Sequence, residues 1–225
     1  MKIYQTTKQI LAVQKSGVKT FLNGLTANTL DAPRNAFLTI HGRIIATFDQ
    51  LLISEDECWV VVEKLFAEPL LQHLDRYMKL GGVKLERPTL NIYFDLDQSL
   101  TASAGEYCIP QKKGQLFITP RTLEANVSEA EFTLFRLEHR IPVQGIDFTD
   151  EMLLNVSTDE FVSFKKGCFL GQEPISKVYN RSKPTWRLVV KPYNDCDAEE
   201  KAKMTSRGLH PALKKELGFV FEKND

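Results

Sequence analysis

Cysteine is scarce in this chain of 225 residues, and its four copies are scattered. Cys58, Cys108, Cys168 and Cys196 form no C-x-x-C pair, which argues against a zinc ribbon or a thioredoxin-like motif. A reducing cytoplasmic setting is the expectation. A surplus of either charge is also missing, with 29 basic side chains set against 29 acidic ones. That argues against a nucleic-acid binder working by global charge, though not against a local basic patch. No apolar run approaches the roughly 20 residues that a membrane span needs. The opening Met1-Lys2-Ile3-Tyr4-Gln5 has neither the basic start and apolar core of a signal peptide nor an Arg-rich transit pattern. What is present is ordinary: 43% hydrophobic and 26% charged, enough for one large domain or two small ones.

Periodicity supplies the elements. Ile10–Val13 reads as a strand, and Val18, Phe21, Leu22 and Leu25 have helical spacing after Ser16-Gly17. Asn35–Ile40 and Ile44–Ile53 read as strands joined at His41-Gly42. Glu55-Asp56-Glu57 then turns the chain into Cys58–Val62. An amphipathic helix is predicted over 65–80, closed by Gly81-Gly82. Strands follow at Val83–Glu86, Asn91–Leu96 and Gln115–Thr119, with loops or a hairpin between the last two and Cys108 as a structural residue. Ser128 and Glu131 form a capping box for a helix that Pro142 stops. The acidic stretch Phe148–Glu160 reads as a solvated loop. Trp186 packs at the head of a strand reaching Val190, Glu199–Lys203 is a helical turn, and short strands lie near Met204–Ser206 and Gly218–Phe221. The sum is an α+β fold of antiparallel sheets with packed helices.

The densest chemistry is Lys165-Lys166-Gly167-Cys168-Phe169-Leu170-Gly171-Gln172-Glu173. Two glycines permit a tight bend or close backbone approach. A thiol beside Lys165 and Lys166 is expected to carry more thiolate than usual. Gln172 and Glu173 add an amide and a carboxylate beyond the turn. A plain buried cysteine on a turn is the competing reading.

The run from Lys166 to Glu173 resembles the signature of the YgfZ-like folate-binding proteins, relatives of the glycine-cleavage T-protein (aminomethyltransferase). The flanks Phe161–Lys165 and Arg181–Leu188 are similar to that family as well. The resemblance implies a T-protein-like fold, with a folate-binding core at 1–185 and an abbreviated C-terminal β-barrel at 186–225. It implies tetrahydrofolate, or a derivative, as cofactor. It also implies an accessory role in iron–sulfur cluster assembly or repair and, through cluster enzymes, in tRNA modification. Arg136-Leu137-Glu138 resembles the T-protein segment whose glutamate accepts the pterin N–H edge, which makes Glu138 the candidate contact. Arg136, Lys166, Gly171, Gln172 and Glu173 are further candidates for folate binding, Cys168 is a candidate functional thiol, and no resident metal is expected.

Three positions depart from the relatives. Thr29 replaces an aspartate, Arg140 stands where glycine is usual, and Ala46 and Thr47 occupy the place of the catalytic aspartate. The nearest acid is Asp49. Aminomethyl transfer is therefore the alternative function rather than the first. A third reading is a non-catalytic module whose basic run, Lys177 to Lys191, meets RNA or protein partners. Tyr179 and Trp186 lie along that run and are placed to stack on a base or a pterin. Iron–sulfur enzymes or assembly proteins are the partners that the first reading implies.

Overall fold

Strand β2 (Lys8–Gln14) shows how the layers arise. Successive side chains on a strand point to opposite faces. Leu11 and Val13 enter one core, whereas Ile10 and Ala12 enter another. Both faces are therefore buried, which explains an unbroken apolar run where a half-exposed strand would alternate. In the computed structural model, which describes residues 1–224, β2 sits inside a five-stranded antiparallel sheet. Its order is β3-β4-β5-β2-β6, with β3 at Arg34–Leu38, β4 at Ile44–Ser54, β5 at Glu57–Glu63 and β6 at Lys84–Glu86.

One face of this sheet carries two helices, α1 (Val18–Asn23) and α2 (Lys64–Gly81). Helix α2 buries Ala67, Leu70 and Leu74 on one stripe, and Gly82 ends it in the left-handed region at φ 62°. The other face meets a second antiparallel sheet, ordered β1-β7-β9-β8. Its strands are β1 (Ile3–Gln5), β7 (Asn91–Asp95), β8 (Tyr107–Pro110) and β9 (Gln115–Thr119). Neighbouring strands β1 and β2 thus belong to different sheets, and the chain crosses between them at Thr6-Thr7. Thr6 is fixed there by two bonds to the Ile92 carbonyl, one from its amide and one from its hydroxyl at 2.8 Å. Helix α3 (Glu129–His139) packs on the second core through Phe132 and Phe135, with Ser128 and Glu131 closing the capping box.

The segment after α3 is more ordered than its acidity suggests. Phe148 is buried, and the short helix α4 (Leu153–Val156) buries Leu153 and Leu154 in a third core. Residues 186–224, within the segment expected to form an abbreviated barrel, supply a three-stranded antiparallel sheet ordered β10-β12-β11. Its strands are β10 (Trp186–Pro192), β11 (Thr205–His210) and β12 (Lys215–Lys223), with α6 (Ala198–Lys203) in the connection from β10 to β11. Trp186 is 41% exposed at the head of β10, so it does not serve as a packing residue. No helix among the described residues is long and apolar enough to cross a membrane.

Candidate functional site

A cavity of about 250 Å³ lies where the first two sheets, α3 and the segment after it converge. The Thr6-Thr7 crossover forms one wall and α3 another. Helix geometry selects the α3 residues. Glu129, Phe132 and Arg136 are spaced three and four apart and share a face. Leu116, Phe94 and Ile141 add buried apolar surface. The volume is just under the roughly 300–1,000 Å³ of drug-sized ligand sites, with a few polar groups among apolar walls.

The polar groups form two networks. In the first, the Lys8 ammonium bridges Asp49 at 3.2 Å and Glu63 at 2.8 Å. Burial works against that charge, yet the two carboxylates outweigh it and hold the Lys8 pKa above the ordinary lysine value. Asp49, 1% exposed, also accepts from Gln111 Nε2 at 2.9 Å. Arg34 closes the network by pairing with Glu160 and lying over the Phe161 ring at 4.4 Å. Its Nε forms a longer ion pair with Asp49 at 3.4 Å. In the second network the Tyr4 hydroxyl donates to Glu129, and its ring stacks on Phe132 at 4.0 Å. Burial, then the Glu129 hydrogen bond, pushes the Tyr4 pKa upward.

Arg136 is the one residue of the expected folate set that lines this cavity. Its guanidinium is engaged by Asp147 at 2.6 Å and Ser206 Oγ at 2.7 Å, tying α3 to the C-terminal sheet. Glu138 is elsewhere: its exposed carboxylate accepts from His210 Nε2 at 3.2 Å, outside the cavity. Two residues along a helix amount to about 200° of rotation, so Arg136 and Glu138 cannot face one cavity. The carboxylates that do line it are Asp49, Glu63 and Glu129. The three-and-four spacing from Phe132 to Glu129 and Arg136 was the signal for Glu129.

The nine-residue run from Lys165 to Glu173 also lies off the cavity. It is the lead-in to an unforeseen helix, α5 (Gln172–Arg181), with Gly171 as N-cap at φ 84°. Lys166 Nζ donates to the carbonyls of Thr26 at 2.6 Å and Asn28 at 2.8 Å, so its ammonium fastens the turn to the α1–β3 connection. Burial pulls its pKa down to about 8. Gln172 is half-buried and Glu173 exposed, both in the first turn of α5. Cys168 is exposed, while Cys58 and Cys196 are buried and Cys108 is half-buried. Burial, with help from Glu57, pushes the Cys58 thiol up to about 12.

Two cations of the basic run after the signature are paired with acids. Arg187 pairs with Glu222, and Lys191 pairs with Glu200 at 2.7 Å and Glu222 at 3.6 Å. These acids come from β12 and α6, beyond the run itself. Tyr179 stacks on Phe164 at 3.8 Å, so one ring face is already covered.

No family model matches the sequence, and no curated protein matches it either. The fold does have solved likenesses. One is the crystal structure of glycine cleavage system aminomethyltransferase T from Bartonella henselae, with a TM-score of 0.75. The likeness covers 99% of this chain and 78% of that one at 12% sequence identity. At that identity the likeness establishes a T-protein-like fold and nothing finer.

Proposed function

We propose that this protein binds tetrahydrofolate, or a derivative, with the pterin in the cavity between the first two sheets and α3. The observation that carries the reading is the chemistry of that cavity. Phe132, Phe94, Leu116 and Ile141 supply apolar surface for a ring system. Asp49, Glu63 and Glu129 supply carboxylates suited to the donors of a 2-amino-4-oxo ring edge. The T-protein-like fold supports the same class of ligand.

Reduced folate carries one-carbon units at N5 of its ring and at N10 beside it, and the chain's own part is to bind and orient it. Both Asp49 oxygens are engaged, one by Lys8 and the other by Gln111. That suits a fixed recognition group better than a proton carrier. Aminomethyl transfer is the second reading, favoured by one fact: Asp49 reaches the cavity wall although it is displaced from the relatives' position.

Cys168 is the proposed functional thiol, exposed on a turn fastened by Lys166. The finer assignment, support of iron–sulfur cluster assembly or repair in the cytoplasm and of tRNA modification through client enzymes, rests on the signature around that thiol. Calorimetric titration with tetrahydrofolate tests the binding; saturable heat at one site per chain is expected, and no heat at millimolar ligand removes the reading. Cys168→Ala is expected to bind tetrahydrofolate as the wild type does and to fail in complementing a strain that lacks this family. Full complementation makes the thiol incidental.

A further inference from the structure

Among the described residues, β12 is paired along both edges for only part of its length. β10 follows it from Leu217 to Lys223, whereas β11 stops at the Thr205–Phe219 pair. The chain enters β11 from α6, which ends at Lys203, so β11 does not extend further along β12. The stretch Val220–Lys223 therefore has a strand along one side only. All four of its residues line a cleft of about 590 Å³. Successive strand side chains point to opposite faces, so a cleft that meets four in a row meets the strand at its edge. Such an edge presents unpaired amides and carbonyls and is a template for another extended chain. Residues of α6 and Asn155 of α4 supply further walls.

The charges on those walls select the occupant. Five carboxylates line the cleft against three ammonium groups. Lys191 is taken up by Glu200 and Glu222, and Lys203 by Glu199. Glu151 and Asp197 have no cationic partner among the described residues, and Lys223 alone stands against them. Trp186, 41% exposed, lines the same cleft, and an indole attracts a cation lying over it.

We propose that this cleft docks an extended segment of a partner protein, which adds as a strand along Val220–Lys223 and places an arginine or lysine among Glu151, Asp197 and Trp186. Main-chain hydrogen bonds hold the segment, and the acidic wall sets its sequence. The cleft shares no lining residue with the folate cavity, so the two readings stand independently. The probe is a blocked pentapeptide alternating valine and arginine, titrated against the full chain. Trp186 fluorescence reports binding, because the other tryptophan, Trp59, is only 6% exposed in the core. A saturable change is expected, together with slowed hydrogen exchange at the amides of Val220–Lys223. The same peptide with glutamate for arginine should not bind. Methylating alternate peptide nitrogens of the arginine peptide should abolish binding, because the methyl groups block strand pairing. The double variant Glu151→Gln, Asp197→Asn should bind about tenfold more weakly, the loss of two surface ion pairs. Both changes spare the fold: asparagine caps α6 as aspartate does, and glutamine still accepts from the Thr149 amide. No response to the arginine peptide at millimolar concentration overturns the proposal, as does equal binding of the glutamate or the methylated peptide. Dimerisation of the peptide-free protein that protects the same amides would assign the edge to a second copy of the chain and overturn it as well.

Discussion

Gly167 and Gly171 flank the same thiol and do different work. Gly171 has φ 84°, and a Cβ there would overlap the Thr39 carbonyl oxygen and lie 3.0 Å from Leu38 Cβ. Gly167 has open space around it. Gly171→Ala should therefore cost about 2 kcal/mol or more in urea denaturation. Gly167→Ala should cost little, and equal losses would mean that the turn is not held by close backbone approach. Lys166 makes a pH-dependent prediction. Its folded pKa is about 8, below the ordinary 10.5, so the unfolded chain binds the extra proton between those values. The Lys166 contribution to stability should then rise with pH across that window, and Lys166→Met should flatten the curve there. A curve unchanged by the substitution contradicts the burial of that ammonium. The signature residues were legible in the sequence because a motif is local. Their distance from the cavity was not, because the Lys166 partners lie 138 and 140 positions away. Asp49 shows the same limit: its register in β4 was readable, but its partners Lys8 and Gln111 come from two other strands or turns.

At the scale of elements, local signals performed well where a terminus or a period carries them. The capping box at Ser128 is present, and Ser128→Ala should lower stability by about 1 kcal/mol in thermal melts. Strand β8, which pairs antiparallel with β9, was foreseen only as loops or a hairpin, because its four residues include Pro110 and alternate poorly. It is held by tertiary bonds instead. Glu106, just before it, accepts from Ser103 Oγ at 2.6 Å and Thr119 Oγ1 at 2.7 Å, and pairs with Arg121. Those bonds, Ser103 first, pull its pKa from 4.5 to about 2. A depressed carboxylate stabilises the fold above its unfolded value and loses that contribution as pH falls toward its folded one. Wild type should thus lose stability between pH 4.5 and about 2, and Glu106→Gln should lose less across that interval. Parallel curves would refute the clip. Helix α5 was missed for a related reason: Gly171 and Pro174 in its first turn read as turn chemistry, although proline is tolerated there.

At the scale of the whole molecule, Asp147 joins parts that the sequence keeps far apart. Its carboxylate, fully buried, binds Arg136 of α3, the Val143 amide at 2.8 Å and Thr205 Oγ1 of the C-terminal sheet at 2.9 Å. Asp147→Ala leaves the Arg136 charge uncompensated, and a loss of about 3–5 kcal/mol in chemical denaturation is expected. The T-protein-like fold was legible through its motifs, but the closure of its last segment was not, since three short strands fit an open sheet as well as a barrel remnant.

The proposed folate binding puts the ring of the ligand in the cavity bounded by α3 and the Thr6-Thr7 crossover. Methyl NMR during titration with tetrahydrofolate reads this directly, because an aromatic ligand shifts the methyl groups it touches. Saturable shifts are expected at Leu116, Ile141, Val143 and Ile146, all on the cavity wall. Shifts confined to the surroundings of Cys168, or to Leu209 of β11 and Leu213 of the β11–β12 turn, would rule that placement out.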